Sequence, residues 1–159
     1  MSAARLAELL IFTACMAPVV YVDARERRIP DLWLLLAGAG LLALRLGRGA
    51  LAWVQLAGAA VAVLLLLGVR LAFGPRLGLG DVKLAALIGF LLGFPGCLLA
   101  VFLGASGGTG FVLLRRAVAG VPHSRSVAFG PFLVSGAIAA FLLLPLLEGF
   151  WRLQTGAGL

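Results

Sequence analysis

Acidic side chains are the groups in this sequence best suited to acid–base chemistry, and the 159-residue chain has only six. Two carboxyl groups at one site can share a proton, because adjacent negative charges resist ionising together. The ionised group can then activate a water molecule while the protonated group polarises a carbonyl. The six candidates are Glu8, Asp23, Glu26, Asp31, Asp81 and Glu148.

Glycines surround one candidate, Asp81, in the segment Gly78-Leu-Gly-Asp-Val-Lys83. Glycine has no side chain, so Gly78 and Gly80 let another backbone or a substrate strand approach closely. Taken alone, Asp81 is typical of a helix cap, and Asp23 beside three arginines is typical of an interfacial ion pair. Asp31 is predicted to be a helix N-cap. Lys83 fits either a membrane anchor or a site residue.

Metal and cofactor chemistry is not predicted. The two cysteines, Cys15 and Cys97, lie in apolar runs and form no C-x-x-C pair, so a zinc or redox site is not expected. The net charge of +7 raises the possibility of nucleic acid. However, the basic residues lie singly or in small groups between apolar runs, so we expect no nucleic-acid partner and attribute them to lipid headgroups and membrane topology.

The elements that position these acids are predicted to be membrane helices. The chain is 63% hydrophobic and 12% charged, whereas soluble domains are about a quarter charged. Uncharged runs predict about six transmembrane helices, with Pro95-Gly96 interrupting the longest run. The predicted fold class is therefore all-α and polytopic, forming one membrane-embedded domain over residues 1–159. The predicted helices lie near residues 6–22, 31–46, 50–73, 81–94, 96–114 and 128–147.

The distribution of arginine and lysine predicts the topology. The loops after predicted helices 1, 3 and 5 hold nine basic residues, and the other side holds four. The positive-inside rule then places the exits of the odd-numbered helices in the cytoplasm. Asp23, at the end of helix 1, and Asp81, at the start of helix 4, are thereby predicted to lie at the same face. A Gly104-x-x-x-Gly108 pattern predicts close packing of one helix against another.

Three segments together resemble the type IV prepilin peptidase family. They are Asp23-Ala-Arg-Glu-Arg-Arg-Ile-Pro-Asp31, Gly78-Leu-Gly-Asp-Val-Lys-Leu84 and Phe129-Gly-Pro-Phe-Leu133. The resemblance implies that Asp23 and Asp81 are the catalytic pair of an aspartic endopeptidase, with Gly78, Gly80 and Lys83 supporting the site. It implies removal of a short basic leader from pilin-like precursors in the inner membrane, at its cytoplasmic face. It does not identify the substrate-binding residues or the oligomeric state.

Two departures from the family pattern refine this expectation. Larger bacterial members carry a long cytoplasmic insert with paired cysteines and also methylate the new N-terminus. This chain has no such insert, so it is more similar to the compact peptidases of tight-adherence pili and archaeal preflagellin systems, without the methyltransferase activity. Ala128 stands where the family has the first proline of its late motif, which we expect to affect loop stiffness rather than chemistry.

Two rival functions remain alternatives. A rhomboid-like serine protease would use Ser106 in Gly104-Ala-Ser-Gly107, but it needs a histidine base, and the only histidine, His123, falls in a predicted loop. A small membrane transporter or scaffold would also contain intramembrane acids. The acids here are predicted at one face rather than inside helix cores, which favours a site open to one side.

Overall fold

The protein is a bundle of α-helices in the computed structural model, which describes residues 3–49, 53–73, 78–119 and 128–155. No strand occurs among these residues, and the all-α prediction is confirmed. The five helices are α1 (Ala3–Glu26), α2 (Asp31–Leu46), α3 (Trp53–Phe73), α4 (Leu79–Ala119) and α5 (Gly130–Thr155).

Four of these helices are long and apolar enough to cross a membrane, which indicates a membrane protein. The spanning stretches are Ala3–Glu26, Trp53–Ala72, Leu79–Val118 and Gly130–Leu147. The prediction of about six transmembrane helices is not confirmed. Helix α2 has only 16 residues, about 24 Å at 1.5 Å per residue, whereas the hydrocarbon core is about 30 Å thick. The two predicted helices after residue 81 correspond to the two stretches of α4 on either side of a break.

Helix α4 is interrupted at Gly93, which has the non-helical angles φ 73° and ψ −177°. Only glycine adopts such a positive φ readily. The break therefore lies at Gly93, two residues before Pro95, where the sequence predicted it. A straight helix of 41 residues would be about 60 Å long. Instead, residues near both ends of α4 lie beside the start of α5, since Asp81 interacts with Asp23 and Arg116 shares a cavity with Phe129. The chain therefore folds back on itself at Gly93.

Glycines bring the two halves of α4 against their neighbours. In the first half, Gly89 meets the backbone of Gly58 in α3 so closely that neither position has room for a side chain. In the second half, a methyl group on Gly104 would lie 2.8 Å from the carbonyl oxygen of Phe132 in α5. Gly108 packs on the ring of the same phenylalanine. The close packing predicted from the Gly104-x-x-x-Gly108 pattern is confirmed.

A buried arginine donates hydrogen bonds to the backbone at the break in α4. Arg45, at the end of α2, is 4% exposed and donates to both carboxylate oxygens of Glu8, at 3.0 and 3.1 Å. It also donates to the carbonyl oxygens of Phe90 (2.6 Å) and Leu91 (2.8 Å). The last carbonyls before a helix end have no partner within the helix. Arg45 therefore supplies, from another helix, the hydrogen bonds that the break at Gly93 removes.

Candidate active site

Asp23 lies in the last turn of α1 and is only 5% exposed. The helix ends at Glu26, after which Arg27 adopts a positive φ of 54°. The N–H of Arg27 donates to the carbonyl oxygen of Asp23 at 3.0 Å, which closes the helix end. Because the backbone is fixed on both sides, the side chain of Asp23 is held towards the bundle interior.

The carboxylate of Asp23 is held by the first residue of α5. The N–H of Gly130 donates to its Oδ2 atom at 3.1 Å. This N–H is one of the donors at a helix start that have no partner within the helix. Asp23 therefore acts as a capping group for α5, supplied by another helix. Hydrogen bonding and the positive end of the helix dipole offset part of the cost of burying a carboxylate.

Asp81 is held in a similar way at the start of α4. Its Oδ2 atom accepts a hydrogen bond from the N–H of Gly78 at 3.2 Å. Because α4 begins at Leu79, Asp81 is the third helical residue and bonds back to the residue before the helix, as in one half of a capping box. The predicted helix start at residue 81 is two residues late. The starts of α4 and α5 thus both present N–H groups to buried or partly buried carboxylates.

The two carboxyl groups lie close enough to interact electrostatically, although 58 positions separate Asp23 from Asp81 in the sequence. Contacts between the segment that follows Asp23 and the start of α4 bring α1 and α4 together. A methyl group on Gly80 would lie only 2.9 Å from Cβ of Ile29, so glycine is required for this contact. The structure therefore joins the two aspartates that the sequence predicted at one face.

An ion pair ties the same two segments together at the surface. Lys83 Nζ lies 2.7 Å from Oδ2 of Asp31, and both side chains are more than half exposed. Asp31 is not the predicted N-cap: Pro30 precedes the helix, and no side chain caps its start. The carboxylate of Asp31 is directed to Lys83 instead. Exposed pairs of this kind contribute at most about 1 kcal/mol, so the pair orients the segments more than it stabilises them.

A cavity of about 410 Å³ lies beside Gly130, between the second half of α4 and the start of α5. Its walls include Gly108, Arg116, Ala128, Phe129 and Phe132. Phe129 precedes the glycine that holds Asp23, but neither Asp23 nor Asp81 lines this cavity. Ala128, the departure from the late motif, lines the cavity rather than contacting either aspartate through a described hydrogen bond.

The residues of the rival serine-protease hypothesis are not brought together in the described part of the chain. Ser106 is exposed on α4, and His123 lies outside the described residues. Among the described residues, no group of three or more histidine, cysteine, aspartate or glutamate side chains is arranged to hold a metal ion.

The sequence did not predict the contacts of Gly130 and Ile29, which stand there only as members of a motif. Each contacts the aspartate pair or the glycine beside it. The sequence did contain one indication of these contacts. Each of the three motif segments places a glycine or an aspartate at a predicted helix boundary, and these boundaries were predicted at one membrane face. Their mutual contacts depend on helix packing, which spacing along the chain does not reveal.

Comparison with known protein families assigns the chain to a class of proteins. The sequence model of the type IV leader peptidase family matches residues 10–113, more than half of the chain. The chain therefore belongs to the type IV leader peptidase family, which implies an aspartic-type peptidase with pilin-like precursors as substrates. The match includes Asp23 and the segment around Asp81, but it ends before Gly130. Neither the curated proteins nor the solved structures contain a match to the chain.

Gly130→Ala is expected to lower peptidase activity by about 10²-fold, because misplacing a reacting group by about 1 Å can cost that much. The added methyl group would lie 2.5 Å from Oδ2 of Asp23 and would displace that carboxylate. Initial rates of precursor cleavage by purified protein provide the measurement. Gly110→Ala is the matched control, since nothing lies within 4 Å of the added group there. Equal rates for the two variants would contradict the proposed importance of the Gly130 contact.

Proposed function

We propose that this protein removes the short basic leader from pilin-like precursors, with Asp23 and Asp81 as its catalytic pair. The observation that carries the proposal is the convergence of three distant segments on two interacting carboxyl groups. This arrangement supplies what aspartic-peptidase chemistry requires, namely an ionised and a protonated carboxyl group facing one site. Family membership supports the leader-peptidase class in general.

In the proposed reaction, the two aspartates share one proton. The ionised carboxylate removes a proton from a water molecule, whose oxygen attacks the carbonyl carbon of the scissile peptide bond. The protonated carboxyl group polarises the carbonyl oxygen and later supplies a proton to the leaving amine. Because the pair titrates jointly, we assign the proton to the pair rather than to one residue. Gly78 and Gly130 hold the two carboxylates through their N–H groups.

The proposed location is the cytoplasmic face of the inner membrane. Asp23 and Asp81 lie at one end of the bundle, whereas Glu8 and Arg45 pair near the break at the other end. Nine of the thirteen basic residues are predicted at the aspartate end, and an excess of basic residues marks the cytoplasmic side. The pair would therefore meet the precursor where its basic leader leaves the membrane.

Co-expression with a pilin-like precursor tests this function. We expect the wild-type chain to shorten the precursor on a gel, and mass spectrometry of the product to show a new N-terminus without the mass of an added methyl group. A Ser106→Ala variant is expected to cleave normally. If the precursor keeps its leader in the presence of folded, membrane-inserted protein, the leader-peptidase proposal is wrong. A methylated product would contradict only the absence of methyltransferase activity.

A further inference from the structure

A groove of about 720 Å³ runs along α2, and residues of α3 and α4 form its other walls. On α2 it extends from Asp31 to Leu42, and we call it the α2 groove. The eleven positions between these two residues correspond to about 16 Å, close to half of the hydrocarbon thickness of a bilayer. The groove is therefore about as long as the hydrocarbon part of one leaflet is deep.

The body of the α2 groove is apolar. Leu34 and Leu87 line it and are buried, so they form its floor, whereas the exposed side chains of Leu35 and Leu56 form its rims. Gly38 lines the groove without a side chain, and a methyl group there would lie 3.7 Å from Cδ1 of Leu87. The rims of a membrane-embedded bundle face lipid, so the groove is open to lipid tails. An acyl chain lying in it gains dispersion contacts along its length.

The end of the α2 groove is formed by an ion pair. Lys83 Nζ lies 2.7 Å from Oδ2 of Asp31, and both side chains are more than half exposed. Of the described residues that line the groove, only these two are charged. An exposed pair contributes little stability by itself, so replacing its direct contact by contacts with a ligand costs little. A ligand that carries one negative and one positive group keeps both side chains paired.

A phospholipid with an ethanolamine headgroup has this combination of groups. Its phosphate accepts hydrogen bonds from the ammonium of Lys83, and its primary ammonium donates to the carboxylate of Asp31. A phosphatidylglycerol headgroup has no cation for Asp31 and would place a second negative charge beside it. A phosphatidylcholine headgroup has a cation but no N–H donor. The ion pair therefore favours the ethanolamine headgroup over the other two.

We propose that the α2 groove binds one phosphatidylethanolamine molecule, with its headgroup on Asp31 and Lys83 and an acyl chain along the groove. This inference goes beyond the proposed peptidase activity and does not depend on it. The bound lipid would fill the space that α2 leaves beside α3 and α4. Because a ligand that binds only the folded state stabilises it by mass action, this lipid would also stabilise the position of the short helix α2.

Native mass spectrometry of the protein in detergent tests the headgroup assignment, with phosphatidylethanolamine, phosphatidylglycerol and phosphatidylcholine of identical acyl chains added in turn. We expect one phosphatidylethanolamine per protein, bound about tenfold more tightly than either other lipid, because one charge-assisted hydrogen bond distinguishes them. Asp31→Asn removes the anionic partner of the ammonium and should abolish this preference. Glu26→Gln makes the same carboxyl-to-amide change on an exposed side chain outside the groove and should preserve it.

Gly38→Leu tests the apolar body of the groove, because the new side chain would extend towards Leu87 across it. We expect phosphatidylethanolamine to bind this variant about tenfold more weakly, since excluding two methylene groups of an acyl chain costs about that much. Gly68→Leu is the matched control on α3, where nothing lies within 4 Å of an added methyl group. It should leave lipid binding unchanged, and thermal unfolding of both variants checks that the fold is preserved.

Several results would overturn the lipid assignment. Equal binding of the three lipids by the wild-type protein would show that the groove has no headgroup selectivity. A preference for phosphatidylglycerol, or a preference for phosphatidylethanolamine that survives in Asp31→Asn, would place the selective site elsewhere. A dimer whose formation excludes phosphatidylethanolamine would show that a second copy of the chain occupies the groove instead.

Discussion

Replacing either aspartate by asparagine is expected to abolish precursor cleavage, with Asp23→Asn and Asp81→Asn each lowering the rate by about 10²–10⁴-fold or more. Neither variant can supply both a carboxylate base and a carboxylic acid. An asparagine oxygen can still accept the N–H of Gly130 or Gly78, which hold the native side chains, so the fold should be preserved. Rates of cleavage in detergent solution, with thermal unfolding of each variant, provide the measurement.

Glu26→Gln is the matched control for this prediction. It makes the same carboxyl-to-amide change three residues from Asp23, on an exposed side chain, and should leave cleavage unchanged. The double variant, Asp23→Asn with Asp81→Asn, should be no slower than the single variants, because residues that act as a unit do not contribute additively. Substantial cleavage by either folded single variant would remove that aspartate from the catalytic pair.

The largest effect on stability is expected from Arg45→Met. This change leaves the carboxylate of Glu8 and the carbonyl oxygens of Phe90 and Leu91 without their donor in a buried environment. Breaking a buried ion pair by removing one partner typically costs about 3–5 kcal/mol, and we expect a loss of that size. Thermal or denaturant unfolding in detergent measures it. Arg48→Met, an exposed change on the same segment, should stay within about 0.5 kcal/mol.

A double variant distinguishes the ion pair from simple loss of packing. When Glu8→Leu is added to Arg45→Met, the Glu8 carboxylate is no longer left without its partner, so the loss of stability should be smaller than for Arg45→Met alone. If the double variant is instead destabilised by the sum of the two single changes, the two side chains contribute independently. In that case, it is wrong that Arg45 depends on its ion pair with Glu8 when it donates hydrogen bonds at the break in α4.

The fold can be predicted from the sequence best where one physical constraint dominates. Composition alone indicated helices in a bilayer, since so few charges cannot cover so much apolar surface. The arginine and lysine count predicts Asp23 and Asp81 at one face, and the two carboxyl groups do interact. Their catalytic role remains a prediction. The predicted number of about six membrane spans is not confirmed, because α2 is short and the chain from Leu79 to Ala119 is divided by a break rather than by a loop.

The remaining features depended on contacts between distant helices. Glu8 and Arg45 were both assigned to the face opposite the aspartates, but nothing in their spacing indicated that they pair or that they serve the break at Gly93. The break was expected at Pro95-Gly96, whereas the backbone uses the positive φ that Gly93 permits. Asp31 was predicted as a cap because it begins a helix, but a lysine from α4 competes for its carboxylate.

The hydrogen bond from Gly130 to Asp23 has a consequence for the timing of biogenesis. It joins residues 107 positions apart in the chain, and such long-range contacts form late because distant segments must first meet. During synthesis, α1 and α4 can enter the bilayer and bring their aspartates together, but the carboxylate of Asp23 lacks its donor until α5 has been made and inserted. Because we propose Asp23 as one half of the catalytic pair, we expect a newly made chain to remain inactive towards precursors until α5 joins the bundle.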